Sequence, residues 1–393
     1  MHLLLLELNR FMNSNELVLA GNQHRANHDP EQALSCYAQA FVLDRHNAHA
    51  FNNYGNVLRE CGDPAGAIPF LQRAMALDPT NTTAQFNLSV AYLLMGDYAQ
   101  GWPQYETRWN FEHMAGTLPK YSQPQWAGQD LEGKTIFVVS EQGLGDNIQF
   151  VRFLEVLLNK KAQIILSANS NLAPLFEKSS SRIQIVATDQ IPEQFDYWIP
   201  IMSIPNAINL TLDTLPRNLA YLKADPEKIE HWRQQLGPKH RLRVGFCYSG
   251  RKDNWLNAHK GMDIDTMLEL VKQNSNYDWI NLQMDADAED LEKMQDLNCS
   301  IYNDQINNFA DTAGLVHHLD VVISVDTAAA HLAGAMGRPT WIPLNWFGTD
   351  WRWLLDRNDS PWYPSVRLFR QPAMGAWTPV LDKIHQYLAL FKI

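Results

Sequence analysis

The sequence predicts a helical-repeat solenoid followed by an α/β region made of two doubly wound halves. Residues in the first part recur with a fixed period, a strand, glycine-rich loop, helix and strand follow in order from Lys134, and a second such series opens at Arg243. Alternating units of this kind imply parallel sheets with helices on both faces. At 393 residues the chain is too long for one ordinary core, so more than one domain is expected.

The period is 34. Gly21, Gly55 and Ser89 keep that spacing, as do Asp29, Asp63 and Asp97, then Ala33, Ala67 and Gly101, then Tyr37, Leu71 and Tyr105. Each unit holds two apolar-periodic helices joined by a turn such as Cys61-Gly62-Asp63-Pro64. The pattern resembles the tetratricopeptide repeat, in which small residues let paired helices pack closely and stack. About three repeats, with a leading helix, fill residues 1–110. Asn52, Asn53, Asn56 and Asn87 fall on the first helices of repeats, where their amides suit the backbone of an extended peptide; the alternative is a solvated face on a structural prop.

A linker is expected over 111–133, where prolines, glycines and aromatics lack periodicity. The first α/β half spans 134–238: a strand Thr135 to Ser140, the loop Glu141-Gln142-Gly143-Leu144-Gly145-Asp146, a helix from Asn147 to about Asn159, and a strand Ala162 to Ser167. A dinucleotide fingerprint would need a third glycine at Ile148, so the loop is not set for NAD. It still lets backbone approach a ligand through Gln142, Gly143 and Gly145. Asp146 is either a cap for the helix or a general base accepting a proton from an attacking hydroxyl.

The second half spans 239–393 and ends in an amphipathic helix, Trp377 to Phe391. Its strands are expected at Arg243 to Tyr248, Trp279 to Gln283, Leu319 to Val325 and Thr340 to Leu344. The run from Ile323 to Pro339 reads as a strand feeding a helix built for phosphate. Thr327 is placed to cap that helix, and the alanines from Ala328 leave its first-turn N–H groups open to an anion. Asp326 sits at the carboxyl end of the strand and His331 one turn in from Thr327.

Composition limits partners and location. The 32 basic and 43 acidic residues give a net charge of −11, which argues against nucleic acid or an anionic membrane as the main partner. Cys36, Cys61, Cys247 and Cys299 have no metal spacing, fitting small core residues in a reduced cytoplasmic setting. The opening Met1 to Leu8 is too short for a signal peptide or a membrane span. The triplets Asp263-Ile264-Asp265 and Asp285-Ala286-Asp287 have metal-binding spacing but read as helix-start carboxylates, and His317-His318 as a helix end, so no metal is expected.

The Glu141 to Asp146 loop, the Val325 to Gly337 block, Asp350-Trp351-Arg352-Trp353-Leu354-Leu355 and Ser360-Pro361-Trp362-Tyr363-Pro364, all behind repeats, resemble the bacterial tetratricopeptide-repeat glycosyltransferases. That family is related to heptosyltransferases and O-linked N-acetylglucosamine transferases, and some members resemble flagellin glycosyltransferases. The resemblance implies a GT-B fold, two Rossmann-like domains facing a cleft, acceptor side first and donor side second, with no metal or other cofactor. It implies Asp146 as the base, and Asp326, Thr327, Ala328 and His331 as holders of donor diphosphate and sugar. It further implies Tyr248, Ser249 and Gly250 as a loop facing the phosphates and Lys260 as the basic residue against the leaving phosphate; without a metal, the charge growing there must meet Lys260, Arg251 or helix amides. The expected activity is transfer of a sugar, with nonulosonic acid as one candidate, from a nucleotide-sugar to serine or threonine of a protein such as flagellin. A saccharide acceptor and a non-catalytic adaptor are the alternatives. The aromatics Trp346, Phe347, Trp351, Trp353, Trp362 and Tyr363 are expected mostly to pack the C-terminal segment back across the two halves.

Overall fold

A computed structural model describes residues 12–111, 114, 116–217, 220–250 and 260–391. Met1 to Leu8, Arg251 and the stretch Asn257-Ala258-His259 lie outside the described residues. The chain forms two compact units, one holding residues up to 120 with 209–213 and 347–356, the other holding 121–208, 214–346 and 357 onward.

The repeat unit consists of α1 (Ser14–Ala26), α2 (Pro30–Leu43), α3 (Ala48–Glu60), α4 (Pro64–Leu77), α5 (Thr82–Leu94) and α6 (Tyr98–Tyr105). The aspartate column caps the second helix of each repeat: Asp29, Asp63 and Asp97 accept the N–H groups of Gln32, Gly66 and Gln100. A further column, not singled out in the sequence, caps the first helices, with Asn13, Asn47 and Asn81 accepting from Glu16, Ala50 and Ala84. Each such cap contributes about 1 kcal/mol. The glycine column follows from close packing. A Cβ on Gly21 would lie 2.5 Å from the Tyr37 ring, and one on Gly55 would lie 2.9 Å from Leu71 Cγ.

Residues 347–356 complete this unit. Trp351 is buried with its ring edge-on to those of Trp102 (5.2 Å), Tyr105 (6.3 Å) and Tyr98 (6.5 Å). The Gly348 N–H donates to the Glu60 carbonyl at 2.8 Å. Part of the aromatic cluster therefore departs from expectation: Phe347, Trp351 and Trp353 belong to the repeat unit, because the second helix of the last repeat presents large rings with no further repeat to cover them.

The α/β unit begins with β1 (Thr135–Val139), α7 (Leu144–Phe150), α8 (Leu154–Asn159), β2 (Gln163–Ala168), α9 (Ala173–Ser179), β3 (Ile183–Ala187), β4 (Tyr197–Pro200) and α10 (Ile204–Ala207). It continues with α11 (Pro226–Leu236), β5 (Arg243–Cys247), α12 (Ile264–Gln273), β6 (Asp278–Asn281), α13 (Ala288–Asp296), α14 (Phe309–His317), β7 (Val321–Ser324), α15 (Ala328–Ala335), β8 (Thr340–Leu344), β9 (Val366–Arg370) and α16 (Thr378–Leu390). The first sheet runs β3-β2-β1-β4 and the second β6-β5-β7-β8-β9. All their pairings are parallel. Strands β5, β7 and β8 are buried at every position, as a parallel sheet covered on both faces requires. Val244, Phe246 and Ile323 meet Met267, Val271, Ile384 and Leu388 from α12 and α16 in one core. Burying each such side chain stabilises the fold by roughly 1.5–3 kcal/mol.

The helix expected from Asn147 instead starts at Leu144 and is interrupted by a 3-10 turn, Val151–Phe153. Gly143 occupies the cap position, and Asp146 reaches back to accept its N–H at 2.8 Å. The two acidic triplets do start helices: Asp263 accepts from Thr266 N–H and Asp287 from Asp290 N–H. The four cysteines form no disulfides, and burial pushes the thiols of Cys61 and Cys247 up to about 11 and that of Cys299 up to about 12.

Candidate functional site

Strand order fixes where a ligand fits. In the first sheet the chain moves outward from β1 to β2 and β3, then returns to the other side of β1 as β4. In the second it goes from β5 to β6, then crosses to β7 on the opposite side. Open α/β sheets bind ligands at these reversals, outside the carboxyl ends of the strands. The loop Glu141 to Asp146 follows β1, the loop Tyr248 to Gly250 follows β5, and Asp326 to His331 follow β7.

Hydrogen bonds shape the first loop. Asn147 is buried and its amide donates to the carbonyls of Glu141 (2.9 Å) and Gly143 (2.8 Å). The Glu141 carboxylate accepts the Met202 N–H at 3.0 Å, tying the end of β1 to the turn after β4. Gln142 adopts the left-handed backbone region, with φ of 58°. This turn brings Gly145 onto the second half. A Cβ there would lie 2.9 Å from His331 Cδ2 and 3.5 Å from Ala328 Cα. Asp146, the next residue, is half-buried beside that contact.

Around α15 the charged groups form one cluster. The Asp326 side chain is 7 % exposed, with one oxygen 2.8 Å from Lys260 Nζ and the other 3.5 Å from His331 Nε2. Burial pushes the Asp326 carboxyl up, but the Lys260 ammonium and the His331 ring outweigh it and hold the carboxyl far below the usual carboxylate range. Lys260 returns to the end of β5 through a close strap: Met262 N–H donates to the Tyr248 carbonyl at 2.9 Å. A Cβ on Gly261 would lie 3.0 Å from Ser249 Cα, so glycine permits that approach. On its other side, His331 Nδ1 lies 2.8 Å from the Tyr363 hydroxyl. The Asp326 carboxylate and the Tyr363 hydroxyl thus hold the two ring nitrogens of His331 from opposite sides.

Thr327 sits at the cap position of α15 but does not cap it. Its hydroxyl bonds to Ser324 Oγ at 2.8 Å and makes no side-chain cap bond. The Ser324 hydroxyl, at the carboxyl end of β7, competes for the threonine, which leaves the first turn to other acceptors. Three small residues, Ala328 to Ala330, follow.

Other expected site residues are placed differently. The Tyr248 side chain runs into the core and donates to Asp290 at 2.5 Å, so only its backbone belongs to the loop. Burial, then the Asp290 carboxylate, pushes its hydroxyl well above the ordinary phenol value. Ser249 N–H donates to Gln283 Oε1 at 3.1 Å, Gly250 ends the described part of that loop, and Arg251 lies outside the described residues.

In the repeat unit the asparagines form a chain: Asn87 donates to Asn52 (3.0 Å), Asn52 to Asn53 (2.8 Å) and Asn53 to Asn22 (2.8 Å). Asn56 instead bonds with Arg59 and Glu60. Three of the four expected groove residues, Asn52, Asn56 and Asn87, are buried and Asn53 is half-buried.

Sequence reading missed Tyr363 as the partner of His331, and Arg152. The buried Arg152 guanidinium donates to the Trp362 carbonyl (2.6 Å) and the Tyr221 hydroxyl (3.0 Å), and lies 4.7 Å over the Tyr363 ring. No sequence spacing links these residues; only the Arg charge in an apolar stretch signalled a buried partner. Trp362 and Tyr363 do tie the C-terminal segment across the two halves, as the Trp362 ring also lies tilted against that of Phe150 at 5.8 Å. Among the described residues no group of three or more His, Cys, Asp or Glu is placed to hold a metal ion, and no helix is long and apolar enough to cross a membrane.

The fold and site together define a helical-repeat protein carrying an α/β domain built on two parallel sheets. Residues 58–101 match the tetratricopeptide repeat family model. The chain is 27% identical over 422 residues to protein FlbA of Caulobacter vibrioides, a match that covers 90% of this chain and 69% of FlbA. Among solved structures it is similar to E. coli ADP-heptose lipopolysaccharide heptosyltransferase II, with 14% identity, a TM-score of 0.49, and coverage of 65% of this chain and 98% of that one. The first tetratricopeptide domain of Spaghetti (RPAP3), solved with an HSP90 peptide, matches at 20% identity and a TM-score of 0.25, covering 26% of this chain and 80% of that one.

Proposed function

We propose that this protein is a glycosyltransferase that moves a sugar from a nucleotide-sugar donor to a serine or threonine hydroxyl of a protein, without a metal and in the cytoplasm. The observation that carries this reading is the contact of Gly145 with Ala328 and His331, which sets the acceptor-side loop against the start of α15. The donor phosphates would lie at the α15 N-terminus, where backbone N–H groups and the helix dipole favour negative charge. In the reaction the acceptor oxygen bonds to the anomeric carbon while the carbon–oxygen bond to phosphate breaks. Asp146 takes the hydroxyl proton late, as the new bond forms, because a carboxylate is too weak a base to remove it beforehand. The departing phosphate carries the electron pair away, and Lys260 and the α15 amides meet its charge. Asp326 holds Lys260 and His331 in place for that task.

The repeats would hold the protein acceptor. Flagellin is the first acceptor to test, on the family resemblance described from the sequence, and a nonulosonic acid the first sugar. Of the four expected groove residues, Asn53, the half-buried one, is best placed to meet a peptide.

Nucleotide binding is tested by thermal shift against UDP, GDP, ADP, CDP and CMP, each with and without EDTA. One nucleotide should raise stability by about 2.7 kcal/mol at 100 times its dissociation constant, regardless of EDTA. Ala328→Asp, which puts a negative charge in the phosphate cradle yet suits a helix start, should lose the shift while staying folded. No shift with any of these nucleotides, or a shift intact in Ala328→Asp, would contradict the proposed cradle.

A further inference from the structure

A cavity lies at the opposite edge of the second sheet from the donor crevice. It measures about 1000 Å³ and is lined where β5, β7 and β8 begin and where α11, α14 and α15 end. Its charged lining is strongly unbalanced: Arg233, Lys239, Arg243 and Arg338 face one carboxylate, Asp320, with the imidazoles of His317 and His318 beside them. In a chain of net charge −11 this is a local reversal of sign. Asp320 is already engaged by Lys239 Nζ at 2.6 Å and by the Arg243 backbone N–H at 2.8 Å, while Arg233 is paired outward with Glu230 at 2.7 Å.

Two guanidiniums remain. Arg243 is 5 % exposed, and its Nη2 donates to the carbonyls of Leu236 (3.1 Å) and Gly237 (2.8 Å). Among the described residues its Nε and Nη1 have no acceptor. Arg338 has one long bond, Nε to the Val316 carbonyl at 3.4 Å. The carbonyl ends of two helices, α11 and α14, hold these cations in position; among the described residues neither makes an ion pair with a carboxylate, and Asp320 acts on Arg338 only through its charge. The surplus is felt at His317, which burial, then Arg338, then His318 hold below the ordinary imidazole value. Pro238, Leu319, Pro339 and Phe391 supply an apolar wall beside the charges.

We propose that this cavity is a second anion site, separate from the donor crevice, that takes a small molecule bearing a phosphate ester. Its phosphate would accept from Arg243 and Arg338, whose forked donors suit phosphate oxygens, and its organic body would rest on Pro339 and Phe391. The site lies within the α/β unit and does not depend on the transferase reading.

Phenyl phosphate is the probe, and the titration midpoint of the His317 ring, followed by imidazole NMR, is the readout. Phenyl phosphate should raise that midpoint by about half a pH unit or more, since an anion offsets the field of Arg338 and its neighbours. Sodium chloride at the same ionic strength should move it less. Arg338→Gln, checked for folding by circular dichroism, should start from a higher midpoint and lose the response. Ala328→Asp should keep it. A midpoint unmoved by phenyl phosphate, moved equally by chloride, unaltered in its response by Arg338→Gln, or unresponsive in Ala328→Asp would overturn the proposal. The cations would then serve the helix ends alone.

Discussion

Gly145 lies against His331 so closely that a Cβ on the glycine would stand 2.9 Å from the imidazole Cδ2. This contact joins the loop after β1 to the helix after β7, the two elements assigned acceptor and donor roles. Gly145→Ala must displace one of them. Overpacking of this kind costs about 1–3 kcal/mol, while a displacement near 1 Å at a reacting centre costs about 100-fold in rate. The expected outcome is a modest fall in Tm with a far larger fall in kcat. An unchanged kcat would show that the contact does not position the reaction.

Tyr363→Phe keeps the packed ring and removes the hydroxyl that His331 Nδ1 meets at 2.8 Å. A net loss of about 0.5–1.5 kcal/mol is expected. The NMR signals of the His331 ring nitrogens should also move, since one loses its hydrogen-bond partner. No change in those signals would mean that Tyr363 does not fix the ring.

Lys260→Met leaves Asp326 buried with a weaker counter-charge. Removing one partner of a buried pair costs about 3–5 kcal/mol. The sign with pH follows from the depressed Asp326 carboxyl. In the native protein its contribution is complete above the ordinary value of 3.8 and declines as pH falls below that. Without Lys260 the folded carboxyl titrates higher, so less is lost in acid. The stability gap between the two proteins, measured by urea unfolding, should be widest at neutral pH and narrow below about pH 4.

Trp351→Ala removes the ring packed among Tyr98, Trp102 and Tyr105. A loss of about 3–5 kcal/mol is expected, concentrated in the repeat unit. Hydrogen exchange should show α5 and α6 losing protection more than β5 and β7. Equal loss in both would place Trp351 in a wider role.

Much of the fold was legible because its signals are local. The 34-residue columns had direct physical causes: aspartates capping helices, and Gly21 and Gly55 yielding to Tyr37 and Leu71. The asparagine caps at 13, 47 and 81 kept the same spacing and could have been found the same way. Strands β3, β4 and β9 escaped notice because β3 is a half-exposed edge and β4 has only four residues. The placement of Asp146 after β1 and of Asp326 to His331 after β7 was legible, because chain order sets it. Placement was not legible where long-range contacts decide, as with Tyr363 on His331, or Trp351 in the repeat unit. Thr327 shows the limit of a local rule, since its capping hydroxyl was claimed by Ser324.

The central claim is that the two loops meeting at Gly145 and Ala328 transfer sugar, with Asp146 as base. The most direct measurement is intact mass of flagellin, and of other candidate protein acceptors, after incubation with a nucleotide-sugar panel in EDTA, using native protein and Asp146→Asn. The expected result is one sugar-sized mass gain with the native protein and its loss in the folded variant. A mass gain preserved in Asp146→Asn, or none on any acceptor with a native protein that binds nucleotide, would contradict it.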